Sequence, residues 1–393
     1  MTRRSLLVAL SIAHFAGHVT NSLLSALLPF IRDAFLLSNT QAGFAVTAYA
    51  IASGVTNAPF GLLADRVGAR RVIIGGLVAS GLASIAIGLS GSYPLLLLGL
   101  LAMGIASGTY HAPASALIAE TFTFARRGVA LGTHTTAGHL AFFAAPLVAG
   151  TLAAAGTWRL PYLVFAVAPI ACAFLVLRIA PPGTRSTERH EWLATFSDIG
   201  RVARSIGSLV SISIVAQVFV SSALAFLTLY LVDARGISPA LAAALYGVPQ
   251  LAGLFSAPLS GILSDRFGRP AVLLGALVLA GPAVWLLVAL PVELAVIPLL
   301  LVGASLSFRA TATEVLIIDN TPVTRRSTML GTYYLVNQPV GGIAAPIFGA
   351  VADASGIGNA FLWLAYVSIG MSVVALVVAA MGGARRRALP STG

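Results

Sequence analysis

Five of the six histidines fall inside apolar stretches of the first half of the chain: His14, His18, His111, His134 and His139, leaving His190 in a connecting segment. An imidazole titrates near neutrality, offers two ring nitrogens for hydrogen bonds, and ligates transition metals. His14 and His18 are four residues apart, so on a helix both rings project from one face. They can carry protons, orient a solute, or pack helices as neutral hydrogen-bonding groups. With His111 they also offer the nitrogen donors that Zn(II) or Fe(II) accepts. The second half answers with Arg309, Glu314 and Asp319 on one stretch. Arg309 and Glu314 are separated by about 7.5 Å along a helix axis and about 140° around it. Each therefore needs a partner from elsewhere: an anionic solute, a polar network or a carboxylate for Arg309, and a proton for Glu314. Asn21, Tyr110, Gln217 and Asn337 add neutral polarity at similar depth, and Gln250 and Gln338 are further candidates.

The segments that must position these groups are almost continuously apolar. Of 393 residues, 58% are hydrophobic and only 9% charged, against the roughly one quarter charged of a soluble domain. Apolar runs fall near 6–31, 40–64, 72–91, 94–119, 128–154 and 159–180, then 207–232, 238–264, 271–291, 294–318, 327–352 and 358–381. Their lengths suit membrane-spanning helices and exceed barrel strands. Twelve spans of about 22 residues leave about ten residues per connection, which is too little for a separate soluble domain. The run from Leu6 to Ile31 is longer than the apolar region of a signal peptide and is read as a retained first span.

The same composition excludes several functions. All 23 basic residues are arginines. Without lysine there is no Walker A loop and no Schiff-base chemistry. The single cysteine, Cys172, permits neither an internal disulfide nor a thiolate metal cage. No nucleophile, base and orienting residue recur together in a span, so an enzyme is not expected. Neither a cofactor nor a resident metal is expected, and the positive charge lies in short clusters between spans, a topology signal rather than a nucleic-acid surface. With both termini in the cytoplasm the inner loops collect 19 arginines and the outer loops three, Arg32, Arg159 and Arg235, leaving Arg309 inside a span. That asymmetry sets the orientation.

The chain repeats itself with a period near 200 residues. Gly61-Leu62-Leu63-Ala64-Asp65-Arg66-Val67-Gly68 returns as Gly261-Ile262-Leu263-Ser264-Asp265-Arg266-Phe267-Gly268, and Arg126-Arg127 with Leu131-Gly132-Thr133 returns as Arg325-Arg326 with Leu330-Gly331-Thr332. Glu120 maps to Asp319, and Arg309 to Tyr110. Two homologous six-helix halves explain this pattern, residues 1–180 and 207–393, joined by a cytoplasmic linker at 181–206. Trp192 and Phe196 in that linker suit a short interfacial helix or an ordinary tether.

On these motifs the chain resembles the major facilitator superfamily over essentially its whole length. The loop from Gly61 through Asp65, Arg66, Gly68 and Arg70 to Val72 is similar to the family's signature between spans two and three, with Ala69 where a basic residue is common. Ala145-Pro146-Leu147-Val148-Ala149-Gly150 resembles the Gly-Pro signature of its antiporters, with alanines for two glycines. Gly104-x-x-x-Gly108-Thr109-Tyr110-His111-Ala112-Pro113 is similar to the fourth span of the fosmidomycin-resistance-like branch, with Ala112 interposed before the proline. The resemblance implies an all-α membrane fold of twelve helices in two pseudo-symmetric six-helix bundles. It also implies a central cavity lined by spans one, four, seven and ten, which brings His14 and His18 towards His111.

The reading that follows is a secondary active transporter of the cytoplasmic membrane, acting as a monomer in the lipid bilayer. It moves a small organic solute by alternating access, with proton-coupled export as the expected mode. Cation exporters of the family often carry an acid deep in span one. Here that helix carries histidines and the other half carries Arg309, which favours an anionic or neutral amphiphilic solute. The expected solute and coupling set is His14, His18, Asn21, Tyr110, His111, His139, Gln217, Arg309, Glu314 and Asn337, and the expected gate set is Asp65, Arg66, Arg70, Glu120, Asp265, Arg266 and Asp319. The alternatives are an uncoupled facilitator or a proton-coupled importer of an organic anion, with a transition-metal exporter or a non-transporting receptor behind them.

Overall fold

The computed structural model describes residues 2–181, 192–321 and 326–388. Every apolar run forms helix, as a lipid-spanning backbone must when it has no water to bond. The first span is three pieces, α1 (Arg3–Asn21), α2 (Leu23–Ala26) and α3 (Leu28–Phe35). Next come α4 (Asn39–Val67), α5 (Ala69–Gly88) and a fourth span divided into α6 (Tyr93–Gly108) and α7 (His111–Thr121). The first half closes with α8 (Phe124–Ala155), α9 (Arg159–Phe165) and α10 (Val167–Ile179). The second half runs α11 (Trp192–Ala225) and α12 (Leu227–Asp233), α13 (Pro239–Tyr246) and α14 (Val248–Phe267), then α15 (Arg269–Ala289), α16 (Val296–Asp319), α17 (Arg326–Ser355) and α18 (Ile357–Ala388).

Among the described residues ten helical stretches are long and apolar enough to cross a membrane. The other two spans of the twelve differ for visible reasons. Helix breaks near Ser22 and Leu27 interrupt the first, and Asn39, Thr40, Gln41, Asn57, Asp65 and Arg66 dilute α4. The expected connection at 181–206 is helical from Trp192 onward and runs into span seven without a break, so Trp192 and Phe196 belong to the extension of α11. Residues 182–191, with His190, lie outside the described residues.

The repeat seen in the sequence is also a repeat of backbone conformation. Gly68 ends α4 at φ 95°, and Gly268 ends α14 at φ 88°. Their N–H groups donate to the carbonyls of Ala64 and Ser264, the same four-residue step. A side chain is strained at such φ, which is why glycine ends both copies of the motif.

The apolar core divides unevenly along the bundle. At the end opposite the chain termini, here the far end, one continuous buried cluster joins both halves. It includes Leu27, Ala42, Ala149, Phe226, Tyr230 and Phe348. At the terminal end each half keeps its own cluster, one around Leu10, Ile73, Leu117 and Val176 and the other around Leu273, Leu316, Met329 and Ala375. The halves are thus packed together at the far end and separately cored at the terminal end.

Candidate functional site

The fourth span breaks at Thr109 and Tyr110, whose N–H groups bond back only three residues, to Ala106 and Ser107. This tightened turn sets His111 at the start of α7. The Tyr110 hydroxyl donates to the Leu10 carbonyl at 2.5 Å and fastens the break to α1. One turn beyond Leu10, the buried ring of His14 donates from Nδ1 to the carbonyl of His134 on α8 at 2.8 Å. That bond leaves the His14 Nε2 lone pair free to accept from His18 Nε2 at 3.0 Å.

The rings form a layered cluster. His14 stacks on His134 with centroids 4.2 Å apart, and His111 lies 5.3 Å from His14 and 5.2 Å from His18. Gly138 of α8 gives the pair its room, since a Cβ there would stand 2.7 Å from the His14 ring and 2.9 Å from His18. A small partly open pocket adjoins the cluster, bordered by His14, His18, Asn21, Ser107, Tyr110 and His111. Asn21 donates to the Ser107 hydroxyl at 3.2 Å, and the Tyr49 hydroxyl does the same. His139 stands apart from the cluster. Its Nδ1 donates to Gln250 Oε1 at 3.1 Å, bridging α8 and α14 across the two halves.

In the second half Arg309 is only 5% exposed, so what meets its charge matters. Its Nη1 donates to Ser213 Oγ at 3.0 Å and its Nη2 to Gln217 Oε1, both on α11. Gln217 in turn donates to Ser221 at 2.7 Å. Tyr333 lies beside the guanidinium, and Tyr334 beside the partly buried carboxyl of Glu314. Among the described residues, Arg309 Nε and Asn337 Oδ1 are buried without a hydrogen-bond partner. The expected solute set therefore forms two polar patches, imidazoles with Asn21 in one half and Arg309 with Gln217 in the other, with His139 at the seam.

The sequence matches the Major Facilitator Superfamily profile over residues 10–257 and again over 209–392. The chain belongs to that family. It is a multi-pass membrane transporter of small molecules rather than an enzyme. The multidrug resistance protein MdtG of Citrobacter koseri is 26% identical over 367 residues, covering 88% of each chain. The Escherichia coli protein of the same name is 26% identical over 366 residues, covering 90% of this chain and 86% of its own. Among solved structures, a bacterial homolog of the human lysosomal transporter Spinster, inward-facing and unoccupied, superposes with a TM-score of 0.77 at 17% identity, covering 96% of this chain and 95% of that one. The nucleoside transporter NupG superposes at 0.80 with 14% identity, covering 95% and 99%. These structures share the fold.

The signature loops of this superfamily member differ between its halves. In the second, Arg269 donates from Nη1 to Asp265 at 2.5 Å and from Nε to Asp319 at 3.2 Å, knitting α14, α15 and α16. Arg269 occupies the position held by Ala69 in the first copy. There Arg70 donates to the Leu177 carbonyl at 2.7 Å instead. Asp65 is partly buried, Arg66 and Arg266 are exposed, and Glu120 lies in the last turn of α7.

The polar contacts that close the far end were missed in the sequence. Arg32 forks onto both carboxylate oxygens of Asp233, 201 residues away. Asp353 at the end of α17 accepts from the backbone N–H of Asn39 and Thr40 at 2.8 and 2.9 Å and from the Thr40 hydroxyl at 2.6 Å. A carboxylate at a helix N-terminus satisfies groups that have no partner within the helix. Thr228 donates to the Ser25 carbonyl, and Thr47 to that of Gly342, also across the halves. The repeat carried one signal for these, since Asp233 is the counterpart of Asp33, the acid next to Arg32.

Proposed function

We propose that this protein is a proton-coupled exporter of a small anionic or neutral amphiphilic solute, working by alternating access as a monomer in the cytoplasmic membrane. Arg309 is the observation that carries the reading: a buried, permanently charged fork held by neutral groups, with one donor left over for an anion. Gln217 accepts from the guanidinium, Asn337 lies one turn along α17 from the neighbouring Tyr333, and His14, His18, Asn21, Tyr110 and His111 offer the solute a neutral polar face from the other half. Two relatives named for multidrug resistance support outward transport of small organic molecules.

Alternating access has residues 1–180 and 207–393 rock against each other, tethered by 181–206. The arginine distribution puts both termini in the cytoplasm. On that orientation the shared far-end core and the Arg32 and Asp353 contacts close the outer side, which supports an inward-facing state. Asp65, Arg66, Arg70, Glu120, Asp265, Arg266 and Asp319 lie at the inner ends of their helices, where the opposite state would bring the halves together. Labelling checks the orientation. Cysteines at the exposed far-end positions Ser92 and Asn359 react with an impermeant maleimide on intact cells, whereas one at Ser391, beyond the described residues, reacts only after lysis. The reverse pattern overturns it.

Coupling is assigned to Glu314. It faces Tyr334 and Tyr333 on α17 and shares α16 with Arg309, so its proton changes the charge beside the solute's own anchor. A proton shifts the inward–outward equilibrium only by its different affinity for the two states. Flux in proteoliposomes, measured with and without a pH gradient for anionic, neutral and cationic amphiphiles, tests the whole reading. Wild-type protein moves the first two classes and is driven by the gradient. Glu314→Gln keeps solute binding and downhill flux but loses at least about 10-fold of the gradient-driven component, on the scale of a coupling free energy of about 1–3 kcal/mol. Gradient-driven flux unchanged in Glu314→Gln removes that residue from coupling, and flux indifferent to pH in the wild type makes the protein a facilitator.

A further inference from the structure

The histidine cluster has a geometry that solute contact alone does not require. His14, His18 and His111 each offer one ring nitrogen, and the three nitrogens lie within 4.8 Å of one another. The Nε2 atoms of His14 and His18 are 3.0 Å apart. Two imidazole nitrogens on one tetrahedral Zn(II) stand about 3.3 Å apart, given bonds of about 2.0–2.1 Å. We propose that His14, His18 and His111 form a binding site for one divalent transition-metal ion. The inference goes beyond the transport reading and stands without it.

The hydrogen bonds around the rings prepare them for this. A metal-bound imidazole characteristically donates its other N–H to a backbone carbonyl or carboxylate, which fixes its tautomer and raises its basicity. His14 has that arrangement, with Nδ1–H on the His134 carbonyl and the Nε2 lone pair facing His18. With His14 so fixed, the proton in the 3.0 Å contact belongs to His18 Nε2. His18 Nδ1 is then a buried lone pair with no partner among the described residues. Moving that proton from Nε2 to Nδ1 within the same ring leaves the charge unchanged and turns the His18 Nε2 lone pair to the ion. Rotation of the His111 ring supplies the third donor.

The donor set also selects the ion. No carboxylate belongs to this cluster among the described residues, and neutral imidazoles favour Zn(II), Co(II), Ni(II) or Cu(II) over Mg(II) or Ca(II), which require oxygen ligands. Three ligands leave a fourth position open, and the neighbouring pocket with Asn21 and Ser107 provides space for water or an exchanging ligand there.

The test uses the purified full chain on an affinity tag free of histidine, titrated with Co(II) and followed by the visible absorption of tetrahedral Co(II). One Co(II) per chain is expected, displaced by Zn(II) and not by Mg(II). His14→Ala, His18→Ala and His111→Ala each weaken binding by about 100-fold or more, a scale that loss of a ligand's outer hydrogen-bond partner already approaches. Gly138→Ala weakens it by about 10-fold or more with every ligand still present, because its methyl enters the space of both rings. His134→Ala keeps the accepting carbonyl and therefore the stoichiometry, and His139→Ala and His190→Ala bind as the wild type does. Absence of the tetrahedral spectrum from wild-type protein overturns the site whatever the variants do, as does undiminished binding in His111→Ala. Because binding is read without solute flux, failure of the metal site and failure of the transport reading are separate results.

Discussion

Arg309→Ala weakens anionic solute binding by about 10- to 150-fold and stops solute flux at working concentrations, and Arg309→Lys does not restore either. The size follows from charge-assisted hydrogen bonds at buried sites, worth about 1.5–3 kcal/mol each. The failure of lysine follows from geometry. The guanidinium spends one arm on Ser213 and another on Gln217 while Nε stays available, a planar division of labour that a point ammonium does not reproduce. Binding is measured by thermal shift with anionic and neutral solutes in parallel, and flux in proteoliposomes. A folded Arg309→Ala protein with normal anion affinity makes the residue a packing element and withdraws the anionic preference.

The second large effect acts on the conformational equilibrium. Gly43 of α4 packs against α17 of the opposite half so closely that a Cβ there would lie 2.6 Å from the Ala345 carbonyl oxygen and from Pro346 N and Cα. All three atoms are backbone, so no side chain can swing aside. Gly43→Ala therefore penalises the far-end-closed state alone, by the roughly 1–3 kcal/mol of an overpacked contact, or about 5- to 150-fold in population. Thr228 is fully buried in this state and reports the opening. With Cys172→Ser as background, a cysteine at Thr228 reacts at least about 10-fold faster with maleimide in Gly43→Ala protein, and flux falls by a similar factor. Unchanged reactivity shows that the two helices accommodate the methyl and that closure does not depend on this approach.

Much of the fold was legible in the sequence because lipid removes choices. Apolar runs of this length have to be helices, and a doubled motif with glycine at its end has to be a doubled turn, as Gly68 and Gly268 show. The face shared by His14 and His18 was equally legible, since four residues make about one turn. The breaks near Leu27 and Tyr110 carry a sequence signal in Pro29 and Pro113, since a proline cannot donate to the carbonyl four residues back and crowds it, whereas the break near Ser22 has no proline beside it and is not legible. The extension of α11 back to Trp192 is hidden for the opposite reason: the helix continues past the end of the apolar run.

By itself the sequence determined the number and type of spans, their duplication, the charge asymmetry of the loops and the residues able to do chemistry inside the membrane. Each of these depends on composition or on neighbours within a turn. The tertiary structure decided which residues meet: Arg32 with Asp233, Asp353 with the start of α4, Arg309 with α11, and His14 with the carbonyl of His134. These spans are apolar nearly all round, so no hydrophobic stripe tells which face turns inward. Rotation about each axis is set by small residues and backbone atoms in contact, as between Gly43 and Pro346, and those contacts exist only once the helices are assembled.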